Sequence, residues 1–183
     1  MADKKIAILA TDGFEKSELL DPQSRFAAAG ATVHVVAPEA GEIRSWDKTD
    51  WGERVPVDRT LEQVSASDYD ALVLPGGQIN PDILRTKPRA VELVRAFARQ
   101  DKPIGAICHG PWMLVEADLV RGRQATSYPS IRTDMTNAGA SWSDREVIVD
   151  GTLVTSRKPE DLPAFCDALA ELVAGTKLSA AAE

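Results

Sequence analysis

Short, uninterrupted apolar runs alternate along the chain with stretches whose apolar residues recur every three or four positions. Lys5–Ala10, Thr32–Ala37, Asp70–Leu74 and Pro103–Ile107 are runs of the first kind. Pro38 ends one of them and Pro75-Gly76-Gly77 another. Stretches of the second kind predict helices over Ser17–Ala29, Pro88–Gln100, Pro111–Leu119 and Pro159–Val173. The last has Leu162, Phe165, Leu169, Leu172 and Val173 on one face. Two β-like runs around Asp150-Gly151, within Trp142–Thr155, give a hairpin signal. Strands apolar throughout, rather than alternating, are strands covered on both faces. Their alternation with helices predicts an α/β three-layer sandwich, a largely parallel sheet between helix layers. Glu39–Thr60 breaks the pattern with Gly41, Trp46, Trp51, Gly52 and many charges, and predicts a small hairpin excursion. No repeat or linker divides the chain. One domain is expected over residues 1–175, with a frayed tail over 176–183.

Composition narrows the partners. Among 183 residues, 21 Lys and Arg stand against 28 Asp and Glu, a formal net charge of −7. A surface that acidic repels a phosphate backbone, so nucleic acid is not an expected partner. No apolar run approaches the ~18–20 residues of a membrane span. Ile6–Ala10 is too short for a signal sequence, so a cytoplasmic protein without a membrane partner is expected. Cys108 and Cys166 are the two cysteines, and His34 and His109 the two histidines. Without CxxC or HExxH spacing, neither a disulfide framework nor a metal site is expected, and no cofactor.

The chemistry concentrates in Lys102-Pro-Ile-Gly-Ala-Ile-Cys-His-Gly-Pro111. An apolar strand ends at Ile107 and a helical pattern opens at Pro111, with Cys108 at the turn between them. A strand entering a helix through a sharp turn has the geometry of a nucleophile elbow. Such a turn crowds its neighbours, and Ala106 and Gly110 are small. The elbow sets Cys108 at the carboxyl end of a strand, where open α/β sheets bind ligands. Proximity to a helix N-terminus and to His109 predicts a depressed thiol pKa. The bland alternative is a buried, inert cysteine. That alternative is preferred for Cys166, on the apolar face of the last helix. His34 lies in a strand pattern and reads as a packed residue.

The chain resembles the PfpI-type intracellular cysteine peptidase-like and stress proteins of the class I glutamine amidotransferase-like group. The matching residues are Asp12-Gly-Phe-Glu-Lys-Ser-Glu-Leu19, Asp70-Ala-Leu-Val-Leu-Pro-Gly-Gly77, Ala106-Ile-Cys-His-Gly-Pro111, Leu119-Val-Arg-Gly-Arg123, Thr126-Ser-Tyr-Pro129, Asn137-Ala-Gly-Ala140 and Val154-Thr-Ser-Arg157. True glutamine amidotransferases use a histidine well downstream of the cysteine, and none follows His109 here. The resemblance implies a flavodoxin-like sandwich with Cys108 as nucleophile and His109 as its adjacent histidine. It implies Glu15 as the acid beside the sulfur, protonated because two close anions do not both ionise cheaply. The competing reading of Glu15 is a helix N-terminal acid, and Glu18 keeps that reading, with lining of the pocket as its alternative. Gly76 and Gly77 match an oxyanion-hole turn, and Tyr128 a pocket position. Trp51 walls the site or plugs a core edge. Family peptidases complete the triad with a Glu after the glycine turn, given by a neighbouring subunit. Here the acid is Asp82, one methylene shorter, which weakens the case for peptidase activity.

Two function classes follow. The first is a cysteine hydrolase or a glyoxalase/deglycase acting on peptides, reactive dicarbonyls or their adducts. A homodimer or larger homo-oligomer is implied for it. The second is a non-catalytic oxidative-stress sensor, or a chaperone-like protein, with an oxidisable Cys108.

Overall fold

The computed structural model describes residues 1–175, so the tail expected over 176–183 lies outside the described residues. Among the described residues twelve strands and six α-helices are formed. In chain order they begin with β1 (Lys5–Leu9), β2 (Phe14–Glu15), α1 (Lys16–Ala28), β3 (Thr32–Ala37), β4 (Glu42–Asp47), β5 (Asp50–Pro56) and β6 (Arg59–Thr60). The middle holds β7 (Ala71–Leu74), α2 (Ile79–Arg85), α3 (Pro88–Arg99), β8 (Ile104–Ile107) and α4 (Trp112–Glu116). The remainder is β9 (Gln124–Ala125), α5 (Arg132–Asn137), β10 (Ser141–Trp142), β11 (Val147–Asp150), β12 (Leu153–Ser156) and α6 (Leu162–Ala174).

The main sheet has the order β11-β12-β8-β7-β1-β3-β6. All its pairings are parallel except the β11–β12 hairpin, which turns at Gly151 where the sequence signals it. The period-two alternation of a strand explains why the central runs are apolar throughout. Ile6 and Ile8 of β1 face one core and Ala7 and Leu9 the other. In the same way β7 sends Ala71 and Val73 to one side, Leu72 and Leu74 to the other. Phe26 of α1 and Phe165 and Leu169 of α6 fill one core. Val91, Val94 and Phe97 of α3 fill the other. Helix α3 opens on Pro88, whose missing N–H costs nothing in a first turn, and buries Ala90, Val91, Leu93, Val94 and Phe97. Each large side chain so buried stabilises the fold by about 1.5–3 kcal/mol. The chain is thus an α/β sandwich of the expected flavodoxin-like kind.

The hairpin excursion is β4–β5, in a separate three-stranded sheet ordered β2-β4-β5. It pairs Trp46 with Trp51 across the strands. The helix predicted from Pro111 to Leu119 is shorter, Trp112–Glu116. Among the described residues no helix is long and apolar enough to cross a membrane.

Candidate active site

Strand β8 ends at Ile107, and Cys108 follows with φ +63°, a left-handed backbone that non-glycine residues adopt at a cost. Its neighbours hold it there. The Cys108 N–H donates to the Ser156 carbonyl (3.0 Å), and its carbonyl accepts from the Tyr128 N–H (2.8 Å). The Gly110 N–H donates back to the Ile107 carbonyl (2.8 Å). A Cβ on Gly110 would overlap the Leu74 carbonyl oxygen, so the elbow needs glycine there. This is the nucleophile elbow that the motif predicts.

Three kinds of group surround the Cys108 sulfur. His109 Nδ1 lies 3.2 Å from Sγ. The backbone N–H groups of Gly77 and His109 lie near the sulfur and favour its anion. The third group is the carboxyl of Glu18, which is wholly buried. Its Oε2 accepts from the Gly76 N–H (2.7 Å). Its Oε1 has no hydrogen-bond partner among the described residues, and the nearby thiol only partly offsets the burial that raises it. Burial, and then the Glu15 charge, push Glu18 up to about 8. Burial, and then the Glu18 charge, push the Cys108 thiol up as well. The expectation of a thiol depressed by a helix dipole is therefore corrected. Helix α4 has five residues and starts four positions beyond the sulfur, while the carboxyl is adjacent. Glu18 and Cys108 form a coupled pair of acids that do not both ionise at neutral pH. A protonated Glu18 beside the thiol lowers the cost of a negative charge on sulfur. Burial holds His109 down to about 4, so its ring is neutral at neutral pH and able to accept a proton.

Glu15 does not reach the sulfur, which corrects the expectation placed on it. It is the N-cap of α1, and its side chain turns back to accept from the Glu18 N–H (2.9 Å) and the Ser17 hydroxyl (2.5 Å). Glu18 is the third helical residue and faces inward. A signal for this was available: Glu18, Pro22 and Phe26 recur at four-residue spacing on the buried face of α1. A carboxylate within an apolar stripe is the anomaly that marks a site.

The glycine turn divides its work. The Gly76 N–H is committed to Glu18, so of the two expected oxyanion donors Gly77 alone is left to the sulfur. Gly77 has φ +75°, and a Cβ there would overlap the Gly13 carbonyl oxygen. Buried Asn80, which sequence reasoning missed, fixes this turn. Its amide donates to the Pro75 (2.9 Å) and Gly76 (3.1 Å) carbonyls, and its oxygen accepts from the Thr11 N–H (2.8 Å).

Asp82 is not brought to His109 within this chain. Helix α2 buries Asn80, Pro81 and Leu84 and so turns Asp82 to solvent. His109 Nε2 instead lies 3.0 Å from the Ser130 hydroxyl. Tyr128, expected at the pocket, stacks on the imidazole (4.8 Å between ring centroids, 25°) and is not one of the residues lining the cleft. Trp51 is also displaced from its expected place. It is 38% exposed and backs Trp46 edge-on, and Trp46 is the residue lining the cleft. The cleft holds about 350 Å³, with Trp46, Gln78, Ile79 and His109 as walls and Cys108 beneath. Elsewhere, His34 bonds the Tyr69 hydroxyl (3.1 Å), and Cys166 is core, its thiol pushed up to about 12 by burial. Arg157 pairs with Asp161 and Asp144.

Fold and site together define an α/β protein with a cysteine nucleophile elbow, an adjacent histidine and a buried glutamic acid. The DJ-1/PfpI family profile matches residues 4–172, and the chain belongs to that family. It is 46% identical over 164 residues to Escherichia coli (strain K12) protein/nucleic acid deglycase 2, covering 88% of this chain and 93% of that one. Over 164 residues it is also 46% identical to Bacillus subtilis (strain 168) general stress protein 18, with the same coverage. Among solved structures, a two-domain Anabaena variabilis protein with DJ-1/ThiJ/PfpI-like and ferritin-like domains superimposes with TM-score 0.89 at 36% identity. That match covers 99% of this chain and 52% of the Anabaena chain.

Proposed function

We propose that the protein is a stress-related, cysteine-dependent hydrolase of the deglycase/glyoxalase type, acting on small reactive dicarbonyls or on their adducts with thiols and amines. The observation that carries this reading is the Cys108 sulfur at the base of a 350 Å³ cleft, 3.2 Å from a neutral histidine and beside a buried acid. A volume near the lower end of small-molecule sites suits a three-carbon dicarbonyl better than a folded polypeptide segment. The deglycase relative supports the same substrate class. Its name also includes nucleic acid adducts, whereas a net charge of −7 favours free carbonyls and protein adducts here.

With methylglyoxal, Sγ adds to the aldehyde carbon while the thiol proton passes to His109 Nδ1; the resulting alkoxide takes that proton back from the histidine, giving a hemithioacetal and neutral His109. Moving the hydrogen from that carbon to the neighbouring carbonyl carbon, through an enediol, yields a lactoyl thioester. Water then cleaves the thioester, so one methylglyoxal and one water give one lactic acid and the thiol returns. Gly77 and His109 N–H groups, near the sulfur, also lie beside the oxyanion of the first adduct. In this reading residues 1–175 are one PfpI-like domain of a cytoplasmic homodimer or larger homo-oligomer. It needs no cofactor, and exposed Asp82 is free to contact another copy. The test is lactate release from methylglyoxal. Cys108→Ser is expected to abolish it and Cys166→Ser to leave it intact; full activity in Cys108→Ser sinks the proposal.

A second reading has one observation in its favour: the same N–H groups and Glu18 surround the sulfur closely enough to hold an oxidised form. Wild-type protein that forms a stable sulfinate at Cys108 under peroxide, a gain of about 32 Da by mass spectrometry, yet releases no lactate, would establish a sensor.

A further inference from the structure

His109 is held by aromatic faces that fix its plane but do not fix which edge meets the sulfur. Tyr128 stacks on the ring, and Trp112 meets it edge-on at 5.3 Å between centroids. Both contacts tolerate a half-turn of the imidazole about its Cβ–Cγ bond. That half-turn would put a ring carbon, with no proton affinity, against Sγ. Two polar contacts oppose it, Nδ1 to Cys108 Sγ at 3.2 Å and Nε2 to Ser130 Oγ at 3.0 Å. The first changes during any reaction at sulfur; the second does not. Within the chain no carboxylate takes the Nε2 position, since Asp82 faces solvent.

We propose that Ser130 is a positioning residue for His109, its hydroxyl accepting from Nε2–H and so presenting Nδ1 as a bare acceptor to the Cys108 thiol. The proposal rests on the reading of Cys108 and His109 as nucleophile and base. A hydroxyl suits the task because it orients the ring without adding a charge. A carboxylate at Nε2 would orient the ring in the same sense but add a charge that favours the imidazolium. Burial keeps the ring neutral, and a neutral partner preserves that. When the thiol proton arrives at Nδ1, both ring nitrogens become donors, and the serine oxygen still accepts from Nε2. The turn carrying Ser130 is tied to the nucleophile itself. Tyr128 N–H donates to the Cys108 carbonyl at 2.8 Å, and Ile131 N–H closes the turn on the Tyr128 carbonyl at 3.1 Å. The residue that bears the sulfur therefore also places the group that aims its base.

The experiment compares wild type, Ser130→Ala and Ser130→Thr as full chains. Imidazole nitrogen spectra of ¹⁵N-histidine protein report the tautomer, with His34→Gln assigning the two histidines. Alkylation of Cys108 by iodoacetamide reports the thiolate supply, and methylglyoxal turnover reports catalysis. In wild type, a neutral His109 protonated at Nε2 is expected. Ser130→Ala should mix the tautomers and lower both the alkylation rate and kcat roughly three- to tenfold, the worth of one neutral hydrogen bond, with KM unchanged. Ser130→Thr should restore all three. The proposal is overturned by Ser130→Ala that leaves spectra and rates as in wild type, or by Ser130→Thr that fails as alanine does. Wild type without methylglyoxal turnover would end the deglycase reading alone, because spectra and alkylation need no substrate and still judge Ser130.

Discussion

Glu15 and Glu18 are the same residue type one helical turn apart, and they live in different chemistry. Glu15 caps α1 at a half-buried surface, held by the Ser17 hydroxyl and the Glu18 N–H. Glu18 has no exposure and one conventional hydrogen bond, and it shares a buried space with a thiol. Burial decides the difference: Glu18 has no solvent to support a charge, and desolvation favours its protonated form. A carboxyl used as a cap stabilises a helix. A carboxyl denied solvent keeps a proton that chemistry can draw on.

The contrast can be broken at three depths. The largest effect is on stability against pH. Glu18 holds its proton in the fold up to about 8, whereas the unfolded chain releases it near the ordinary carboxylate value of 4.5. Between those values the unfolded state binds fewer protons, so stability falls as pH rises, by about 1.4 kcal/mol per unit and several kcal/mol in all. Urea titrations of Glu18→Gln across this window should show that slope largely gone. A slope equal to wild type would mean Glu18 ionises freely. Next comes turnover. Glu18→Ala orphans the Gly76 N–H and removes the proton beside sulfur, and lactate release should drop about a hundredfold, near 2.7 kcal/mol of transition-state stabilisation. Glu15→Ala should stay within threefold; the reverse order would return the acid role to Glu15. The smallest effect is the cap itself. Glu15→Ala should cost about 1 kcal/mol in thermal or urea denaturation with the rate nearly kept.

Much of the architecture is legible in the chain because its central strands are apolar on both faces, as Ile6 to Leu9 and Ala71 to Leu74 show. Cys108 and His109 are legible for a local reason: the strand, the small flanking residues and the turn all lie within ten positions. The failures are failures of phase and distance. Whether Glu15 or Glu18 faces inward depends on which residue caps α1, a shift of one residue turning a side chain by about 100°. Trp46 and Trp51 exchange roles because a hairpin pairs them, and pairing does not say which ring meets the cleft. Ser130 reaches His109 from twenty-one positions away, through a short turn without periodicity. Helix α2 is seven residues long and turns Asp82 outward through the burial of Asn80, Pro81 and Leu84.

The left-handed backbone at Cys108 sets stability and chemistry against one another at a single position. A side chain there costs on the order of 1 kcal/mol that glycine avoids. A population of variants screened for heat resistance alone would therefore drift toward Cys108→Gly, gaining a relaxed elbow and losing its reagent. Under the proposed function, cysteine at that turn sets reactivity against the preference of the main chain.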